Sequence, residues 1–456
     1  MNLFTIDLCR KPGNPLYEQL YRFISGEIRA GRLLHSERLP SKKALAAHLK
    51  ISVSTVEAAY TLLLQEGYVY TRPRSGYYVS PIDGLIQTEA IIAPPVQAQP
   101  PAYQYDFGTN AVDPSSFPYR TWAKLSRETL LDGSGLLTRG DPRGDDVLRE
   151  TLARYLRAFR GVVCGPDQIV IGAGIEYLLT LLTALLGSGA TFALENPGYT
   201  KAAAVIQNSG GHLRHISLDN EGMEPQALAQ SGANVAYLTP SHQFPTGIVM
   251  PVGRRYQLLN WAAGAEGRYL IEDDYNSEFT FTGRPIPAMQ GMDPSSRVIY
   301  MSTFSRTLAP SIRIAYMVLP ASLSARFARQ FGGYASTVSR FEQHTLMRFI
   351  SGGYLERHLN RVKGIYKKRR DFLIRRLRTL DPELKVTGGQ TGLHLLVHLP
   401  ESQAEAVIRR GLENRIRILR LSDYDDADAK GFGTFIFGFS GMDEDQLDKA
   451  VALLFG

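Results

Sequence analysis

The chain has 456 residues, which is too long for one ordinary domain, so two or three domains are expected. Its 44% hydrophobic and 21% charged residues are typical of a globular protein, and the net charge is +7. No apolar stretch approaches the roughly 18 residues that a membrane span requires, and the N-terminus does not resemble a signal peptide. Cys9 and Cys164 supply neither metal-ligand spacing nor a disulfide framework, so we expect a cytoplasmic protein with no metal site and no membrane partner.

Three amphipathic segments near the N-terminus predict three helices. Apolar side chains recur at helical spacing over residues 15–30, and two further helices are expected after the N-caps Ser41 and either Ser52 or Ser54. Two β-rich runs then flank the basic turn RPRSG. Three helices followed by a two-stranded wing predict a winged helix-turn-helix over residues 1–80.

The charge of this first domain favours nucleic acid as its partner. Residues 1–80 contain 11 Lys/Arg and 6 Asp/Glu, so they carry most of the excess positive charge. A basic domain is typical of phosphate-backbone binding, although charge alone leaves open an ordinary solvated basic face. In a winged helix the third helix contacts base edges and the residues around it contact phosphates. The expected contacts to a double-stranded DNA operator are Ser41, Lys42, Lys43, Ser52, Ser54, Thr55, Arg72 and Arg74.

A spacer is predicted at residues 81–105. This segment contains Pro94-Pro95 and Pro100-Pro101, has no Lys or Arg, and shows neither helical nor strand periodicity.

From residue 106 onward, β-rich runs alternate with helical segments such as residues 176–186. The runs are residues 168–171, 191–194, 235–238, 268–272, 298–301 and 314–319. Such alternation predicts a mostly parallel sheet with helices on both faces, whose sites lie at the carboxyl ends of the strands. The segments expected there are residues 172–176, 196–201, 239–247, 273–275 and 303–313.

Several motifs extend these predictions by resemblance. The first domain resembles the GntR-type winged helix: the LPSxRxLA and SRxTV elements of that family appear as LPSKKALA and SVSTV, with Lys43 and Val53 in place of the arginines. The rest resembles the fold-type I aminotransferases that depend on pyridoxal phosphate (PLP), and the whole chain resembles the MocR/GabR regulators. The supporting motifs are GDPRGDDVLRETLARYL, RGVVCGPDQIVIGAG, ENPGY, TPSHQFPTG, LIEDDYNSEF, RVIYMSTFSRTLAPSIRIAYMVLP and GLHLLVHLP.

The resemblance implies an aminotransferase-like domain over residues 106–456, with a smaller C-terminal subdomain at about 360–456. It also implies a head-to-tail homodimer and a set of residues around the cofactor. Asp273 would face the pyridine nitrogen, and Tyr275 and Tyr199 would lie beside the ring. The implied phosphate ligands are Gly174, Ile175, Glu176, Thr303, Ser305 and Arg313.

Arg306 departs from the family pattern, because STFS is followed in the family by the lysine that condenses with the cofactor aldehyde. A guanidinium is always protonated and is a poor nucleophile, so it cannot replace that amine. Lys201, expected in the effector site, lies outside this motif. We therefore expect pyridoxal phosphate or another anion to bind non-covalently and no catalytic residue to be present. Two explanations stay open: a site that has drifted to another ligand or to none, and an arginine introduced deliberately to trap a non-covalent state.

Three functions compete at this stage. The preferred one is a DNA-binding transcription regulator whose large domain senses a small anionic or B6-related effector. The alternative is a PLP-dependent aminotransferase with an appended DNA-binding domain. A third is a DNA-binding protein whose large domain only dimerises.

Overall fold

The computed structural model describes residues 6, 8, 9, 15–81, 103–109, 111–283, 286–425 and 433–456, without the side chain of residue 134. The chain divides into two compact units, Met1–Gln99 and Pro100–Gly456. Residues 82–102, which are most of the predicted spacer, lie outside the described residues.

The first unit contains three helices and a two-stranded antiparallel sheet. Its elements are α1 (Leu16–Arg29), α2 (Lys42–Leu49), α3 (Val53–Gln65), β1 (Val69–Arg72) and β2 (Gly76–Val79). The apolar stripe of α1 packs against that of α3, with Leu20, Ile24, Val56 and Tyr60 at 0% exposure. The predicted winged helix-turn-helix is confirmed.

Serine caps begin α2 and α3. The Ser41 hydroxyl oxygen accepts a hydrogen bond from the Ala44 amide (3.2 Å), and that of Ser52 accepts one from the Thr55 amide (3.1 Å). Each such cap contributes about 1 kcal/mol to stability. Of the two candidate caps of the third helix, Ser52 is the one used.

The second unit begins with a short strand, β3 (Tyr105–Asp106), and is built on an eight-stranded sheet. The strands of that sheet are β4 (Ile169–Gly172), β5 (Thr191–Asn196), β6 (His212–Asp219), β7 (Gly222–Met223), β8 (Val235–Leu238), β9 (Tyr269–Asp273), β10 (Val298–Thr303) and β11 (Ala315–Val318). Their spatial order is β4-β11-β10-β9-β8-β5-β6-β7. Within this sheet β7 and β11 run antiparallel to the other strands, so the predicted mostly parallel sheet is confirmed.

Helices cover both faces of this sheet. They are α4 (Tyr119–Leu131), α5 (Asp146–Arg160), α6 (Ile175–Leu186), α7 (Thr200–Asn208), α8 (Pro225–Gln230), α9 (Val252–Ala263), α10 (Ala321–Phe331) and α11 (Arg340–Ser351). Neighbouring strand residues point to opposite faces. Val170 and Ile299 therefore belong to a core with α6, α7 and α10, while Ile171 and Tyr300 belong to a second core with α5 and α11.

A smaller antiparallel sheet forms the C-terminal part of this unit. Its elements are α12 (Tyr354–Leu380), β12 (Lys385–Gly388), β13 (His394–His398), α13 (Glu401–Glu413), β14 (Ile416–Arg417), β15 (Leu419–Arg420), β16 (Thr434–Gly438) and α14 (Glu444–Phe455). The sheet order is β12-β13-β16-β15, while β14 pairs in parallel with β3. The start of the second unit is thus held against its C-terminal part. None of the described helices is both long enough and apolar enough to cross a membrane.

Candidate functional site

A cavity of about 380 Å³ opens at the carboxyl ends of the parallel strands in the second unit. Its lining includes most residues that the resemblance assigned to the cofactor, together with Lys201: Ile175, Glu176, Tyr199, Asp273, Tyr275, Thr303, Ser305, Arg306 and Arg313. Gly174 lies one residue before this lining, where it caps α6. Four side chains of the lining are basic and two are acidic, so the cavity favours an anion.

Asp273 is the buried carboxylate of the cavity. It is the last residue of β9 and is 5% exposed. The hydroxyl of Tyr237, on the neighbouring strand β8, donates a hydrogen bond to Asp273 Oδ2. Asp273 Oδ1 has no hydrogen-bond partner among the described residues. Burial raises the pKa of this carboxyl from 3.8 to about 7, so Asp273 is poised to accept a proton or a cationic N–H.

Arg306 lies beside Tyr275 on the cavity wall. Its guanidinium carbon is 5.7 Å from the centroid of the Tyr275 ring, within the range of a cation–π contact. The Tyr275 hydroxyl donates to the backbone oxygen of His242 (3.0 Å), which holds the ring in place. Burial lowers the pKa of Arg306 from its ordinary value. A guanidinium nevertheless stays protonated at physiological pH, so Arg306 brings a fixed positive charge where the family carries an amine.

An ion pair occupies the predicted phosphate site. Arg313 Nη2 donates to Glu176 Oε2 (3.1 Å) and to the backbone oxygen of Ala173 (3.0 Å). Gly174 has φ +101°, a backbone conformation that other residues rarely adopt, so the turn before α6 favours glycine. Burial raises the pKa of Glu176, but hydrogen bonds from its own amide and from Arg313 outweigh burial and leave that pKa below its ordinary value. Glu176 is therefore ionised and competes with any anion for Arg313.

The hydroxyls of the site lie on the segment after β10. Thr303 Oγ1 and Ser305 Oγ are 2.9 Å apart, and both line the cavity. The Thr303 hydroxyl donates to the backbone oxygen of Ile314 (3.2 Å), so the hydroxyls must turn away from their present partners to donate to a bound anion. Lys201, in the first turn of α7, is exposed at the cavity rim.

The lining contains other residues that were given no role from the sequence. Four of them lie within the segments expected at the strand ends: Thr200, Thr239, Phe244 and Pro310. Sequence reasoning missed Thr109, Arg417 and Tyr424 altogether. Thr239 and Phe244 lie within the quoted TPSHQFPTG motif, which was a usable signal. Arg417 comes from β14, and its guanidinium lies 3.5 Å from Asp106 Oδ2. No local pattern connects that arginine with the cavity, because the connection depends on the pairing of β14 with β3.

A buried network supports the strand ends beneath the cavity. Arg160 Nε donates to Asp274 Oδ2 (2.7 Å), and the Tyr300 hydroxyl donates to the same oxygen (2.6 Å). Arg160 also donates to Ser241 Oγ (3.1 Å) and to the backbone oxygen of Ile286 (2.8 Å). One guanidinium thus joins three loops, which fixes the peptide that carries Asp273.

The expected DNA contacts lie on the surface of the first unit. Six of the eight are exposed, and Lys42 and Thr55 are partly buried. In the wing, the Arg72 guanidinium stacks 4.5 Å from the centroid of the Tyr78 ring and donates to the Tyr70 hydroxyl (2.8 Å). Arg74 lies in the turn with φ +62°.

The N-terminus of α3 has a less typical DNA-facing surface. Lys42 forms an ion pair with Glu57, so part of its charge is neutralised within the unit. Val53 is 43% exposed at the first position of α3 and presents an apolar side chain where the resemblance calls for arginine. Among the described residues, the expected contacts Lys43, Arg72 and Arg74 form no ion pair, so their positive charge is not neutralised in the way that the charge of Lys42 is.

Both units have counterparts among known proteins. Residues 16–79 match the bacterial regulatory proteins of the gntR family. The chain is 36% identical to the uncharacterized HTH-type transcriptional regulator YhdI of Bacillus subtilis (strain 168), over 98% of this chain and 96% of the relative. It is 32% identical to the probable rhizopine catabolism regulatory protein MocR of Rhizobium meliloti, over 90% and 86% of the two chains. Its fold matches Pyrococcus horikoshii kynurenine aminotransferase in complex with PMP, with TM-score 0.66, 27% identity, and coverage of 77% of this chain and 89% of that one.

Proposed function

Since the chain belongs to the MocR/GabR-type transcription regulators, which join a GntR winged helix to an aminotransferase-like domain, we propose that it regulates transcription by binding a small anionic ligand non-covalently. DNA binding is the property of its first unit. The cavity of the second unit is the proposed effector site. One observation supports non-covalent binding of the ligand: Arg306 lines that cavity at the position where the family has its lysine.

Pyridoxal phosphate or a related B6 compound fits the cavity as a reversible ligand. Asp273 Oδ1 is buried and lacks a hydrogen-bond partner among the described residues, as a carboxylate kept for a ring nitrogen would. The first turn of α6, Thr303, Ser305 and Arg313 would hold the phosphate. When bound, pyridoxal phosphate supplies an electron-withdrawing ring and an aldehyde.

The residues of this chain can bind and orient such a ligand. Asp273 would hold a proton at the ring nitrogen, and Tyr237 would keep that carboxyl oriented through its hydrogen bond. Arg306 would contribute charge to an anionic group and cannot supply a nucleophilic amine. The residues of the cavity are therefore better suited to binding the ligand than to catalysing the transfer of an amino group.

Calorimetry and a gel-shift assay test this function together. We expect heat on titrating pyridoxal phosphate into the full chain, and no covalent adduct after borohydride treatment. The gel shift uses DNA from upstream of the protein's own gene, with and without pyridoxal phosphate. A specific complex whose affinity changes with the ligand supports the proposal.

Two results would contradict it. A borohydride-trapped adduct on a lysine would favour an aminotransferase with an appended DNA-binding domain. DNA binding without any heat from pyridoxal phosphate or amino acids would favour a large domain that only dimerises.

A homodimer is part of the same proposal, because a dimer would bind paired half-sites. Large apolar side chains on the surface of the second unit support it: Tyr119 is 61% exposed, Leu130 62%, Leu131 76% and Leu137 79%. Light scattering of the purified chain should give twice its 50.6 kDa mass. The mass of a monomer at micromolar protein concentration would contradict the dimer but would not contradict the proposed ligand binding.

A further inference from the structure

The helix α12 concentrates positive charge that the rest of the second unit lacks. Residues 81–456 contain 40 Lys/Arg and 38 Asp/Glu, so this part of the chain is close to neutral. Ten of those basic residues and only two of the acidic ones fall within α12, Tyr354–Leu380. The remainder of residues 81–456 is therefore net acidic. A basic helix within an acidic surrounding calls for an explanation beyond solubility.

Part of that charge is structural. Arg369 and Arg370 are buried and pair with Asp113 and Asp371, and Arg376 pairs with Asp448. Arg369 and Arg376 join α12 to other segments through these pairs. Arg370 pairs with Asp371 of the same helix and donates to the backbone oxygen of Gly389 (3.0 Å). The three arginines are therefore engaged within the unit.

The other part lies on the solvent side of the helix. Lys367, Lys368, Arg375 and Arg378 are all exposed. Their spacing of seven to eleven residues returns them to one side of an α-helix. Among the described residues, none of the four takes part in an ion pair. With the partly buried Lys363 they form what we call the α12 basic face, which extends about 22 Å along the helix axis at about 1.5 Å per residue.

We propose that the α12 basic face is a second DNA-contacting surface, which binds the phosphate backbone without reading sequence. The matching ligand is a polyanion with closely spaced charges. Double-stranded DNA carries one phosphate per about 3.4 Å of axis on each strand, so one strand presents roughly six phosphates over the length of this face. The chain is a DNA-binding regulator, so DNA is the polyanion that it necessarily meets. The face lacks aromatic side chains at its exposed positions, which suits backbone contact rather than base stacking.

Salt dependence of DNA binding measures the proposed contacts directly. The test variant of the full chain carries Lys367→Gln, Lys368→Gln, Arg375→Gln and Arg378→Gln. A plot of log affinity against log salt concentration has a negative slope, and each lost phosphate contact reduces the magnitude of that slope by about 0.9. With a long random-sequence duplex we expect a slope smaller by about two to four and an affinity at least about tenfold weaker at low salt.

A matched control removes the same charge elsewhere in the second unit. Arg214, Arg326, Arg329 and Arg409 are exposed on β6, α10 and α13, and their replacement by Gln should leave the slope within about one of the native value. Equal losses in the two variants would show a general charge effect and overturn the proposal. An unchanged slope in the α12 variant would also overturn it.

A second measurement uses the unaltered protein, so it does not depend on the folding of a variant. Lysines are acetylated with a water-soluble reagent, with and without the same duplex, and the extent of acetylation is read by mass spectrometry. We expect the duplex to protect Lys367 and Lys368 several-fold more than Lys124. Equal acetylation with and without DNA would contradict the proposal. Protection by anionic lipid vesicles, but not by DNA, would assign the face to a membrane surface instead.

Discussion

Glu176 and Arg313 form an ion pair at the N-terminus of α6, with 3.1 Å between Glu176 Oε2 and Arg313 Nη2. The pair places a carboxylate among the groups that would otherwise hold a phosphate. An incoming anion must therefore displace Glu176 from Arg313 or accept its negative charge nearby.

Replacing Glu176 by Gln should strengthen the binding of phosphate-bearing ligands. The substitution keeps the side-chain length, removes the competing charge and frees the Arg313 guanidinium. Because both side chains are partly solvated, we expect a gain of about 1 kcal/mol, or roughly fivefold in affinity. Calorimetry with pyridoxal phosphate and with inorganic phosphate measures it.

The control for this prediction is Glu342→Gln on α11, away from the cavity lining. A weaker affinity in Glu176→Gln would show that Glu176 contributes to ligand binding rather than opposing it.

Replacing Asp273 by Asn should stabilise the ligand-free protein at alkaline pH while it weakens ligand binding. Burial raises the pKa of Asp273 from 3.8 to about 7. A carboxyl whose folded pKa is raised binds more protons in the folded state, so the free energy of unfolding falls as the pH rises from about 4 to 7. At pH 8 the ionised, buried carboxylate costs about 1–3 kcal/mol, which Asn avoids.

Urea unfolding at pH 5 and pH 8 checks this expectation. Other buried carboxyls with raised pKa values, such as Glu195 and Glu272, make the native curve depend on pH in the same direction. The informative quantity is therefore the difference between the variant and the native chain, which should be larger at pH 8. The exposed Asp146→Asn serves as control, and an equal difference at both pH values would contradict the assigned role of burial.

Much of this fold could be predicted from local patterns. The β-rich runs coincide with β4, β5 and β8 to β11, and the charge and periodicity of the first 80 residues match a winged helix. The reason is that the alternation of β-rich and helical segments, and the caps of helices, depend on residues that are close together in the sequence. The antiparallel sheet of β12, β13, β15 and β16 was not predicted, because β15 has only two residues and because β13 pairs with β16 across the intervening helix α13.

Some residues of the candidate site could be identified from the sequence, and others could not. Residues in the quoted motifs, such as Asp273 and Thr303, were assigned by the family resemblance, and each is the last residue of a strand that the β-rich runs had predicted. Arg417 was missed because only the pairing of β14 with β3 brings it to the cavity. The exposed charge of α12 was missed for another reason: averaging over the large domain hid a basic helix within an acidic remainder.

Removing the wing cations should weaken DNA binding uniformly across sequences. Arg72 and Arg74 are exposed and would contact phosphates, so Arg72→Gln with Arg74→Gln should lower the salt slope by about two. Gel shifts over a salt series, with specific and random duplexes, measure it. Arg22→Gln with Arg29→Gln on α1 removes the same charge from another exposed surface of the first unit. If the α1 variant loses as much affinity as the wing variant, the wing has no special role.

Replacing Arg306 by Lys should convert reversible binding of pyridoxal phosphate into covalent binding. The surrounding residues of the family motif are present, with Asp273, Tyr275 and Ser305 on the cavity lining, so the native chain lacks chiefly the amine. The variant should show a new absorbance band at the edge of the visible range, and borohydride should fix the ligand at position 306. Arg306→Gln removes the charge without adding an amine and should bind pyridoxal phosphate more weakly with no adduct. A fixed adduct in the native chain, or none in Arg306→Lys despite measured binding, would contradict the assignment of position 306.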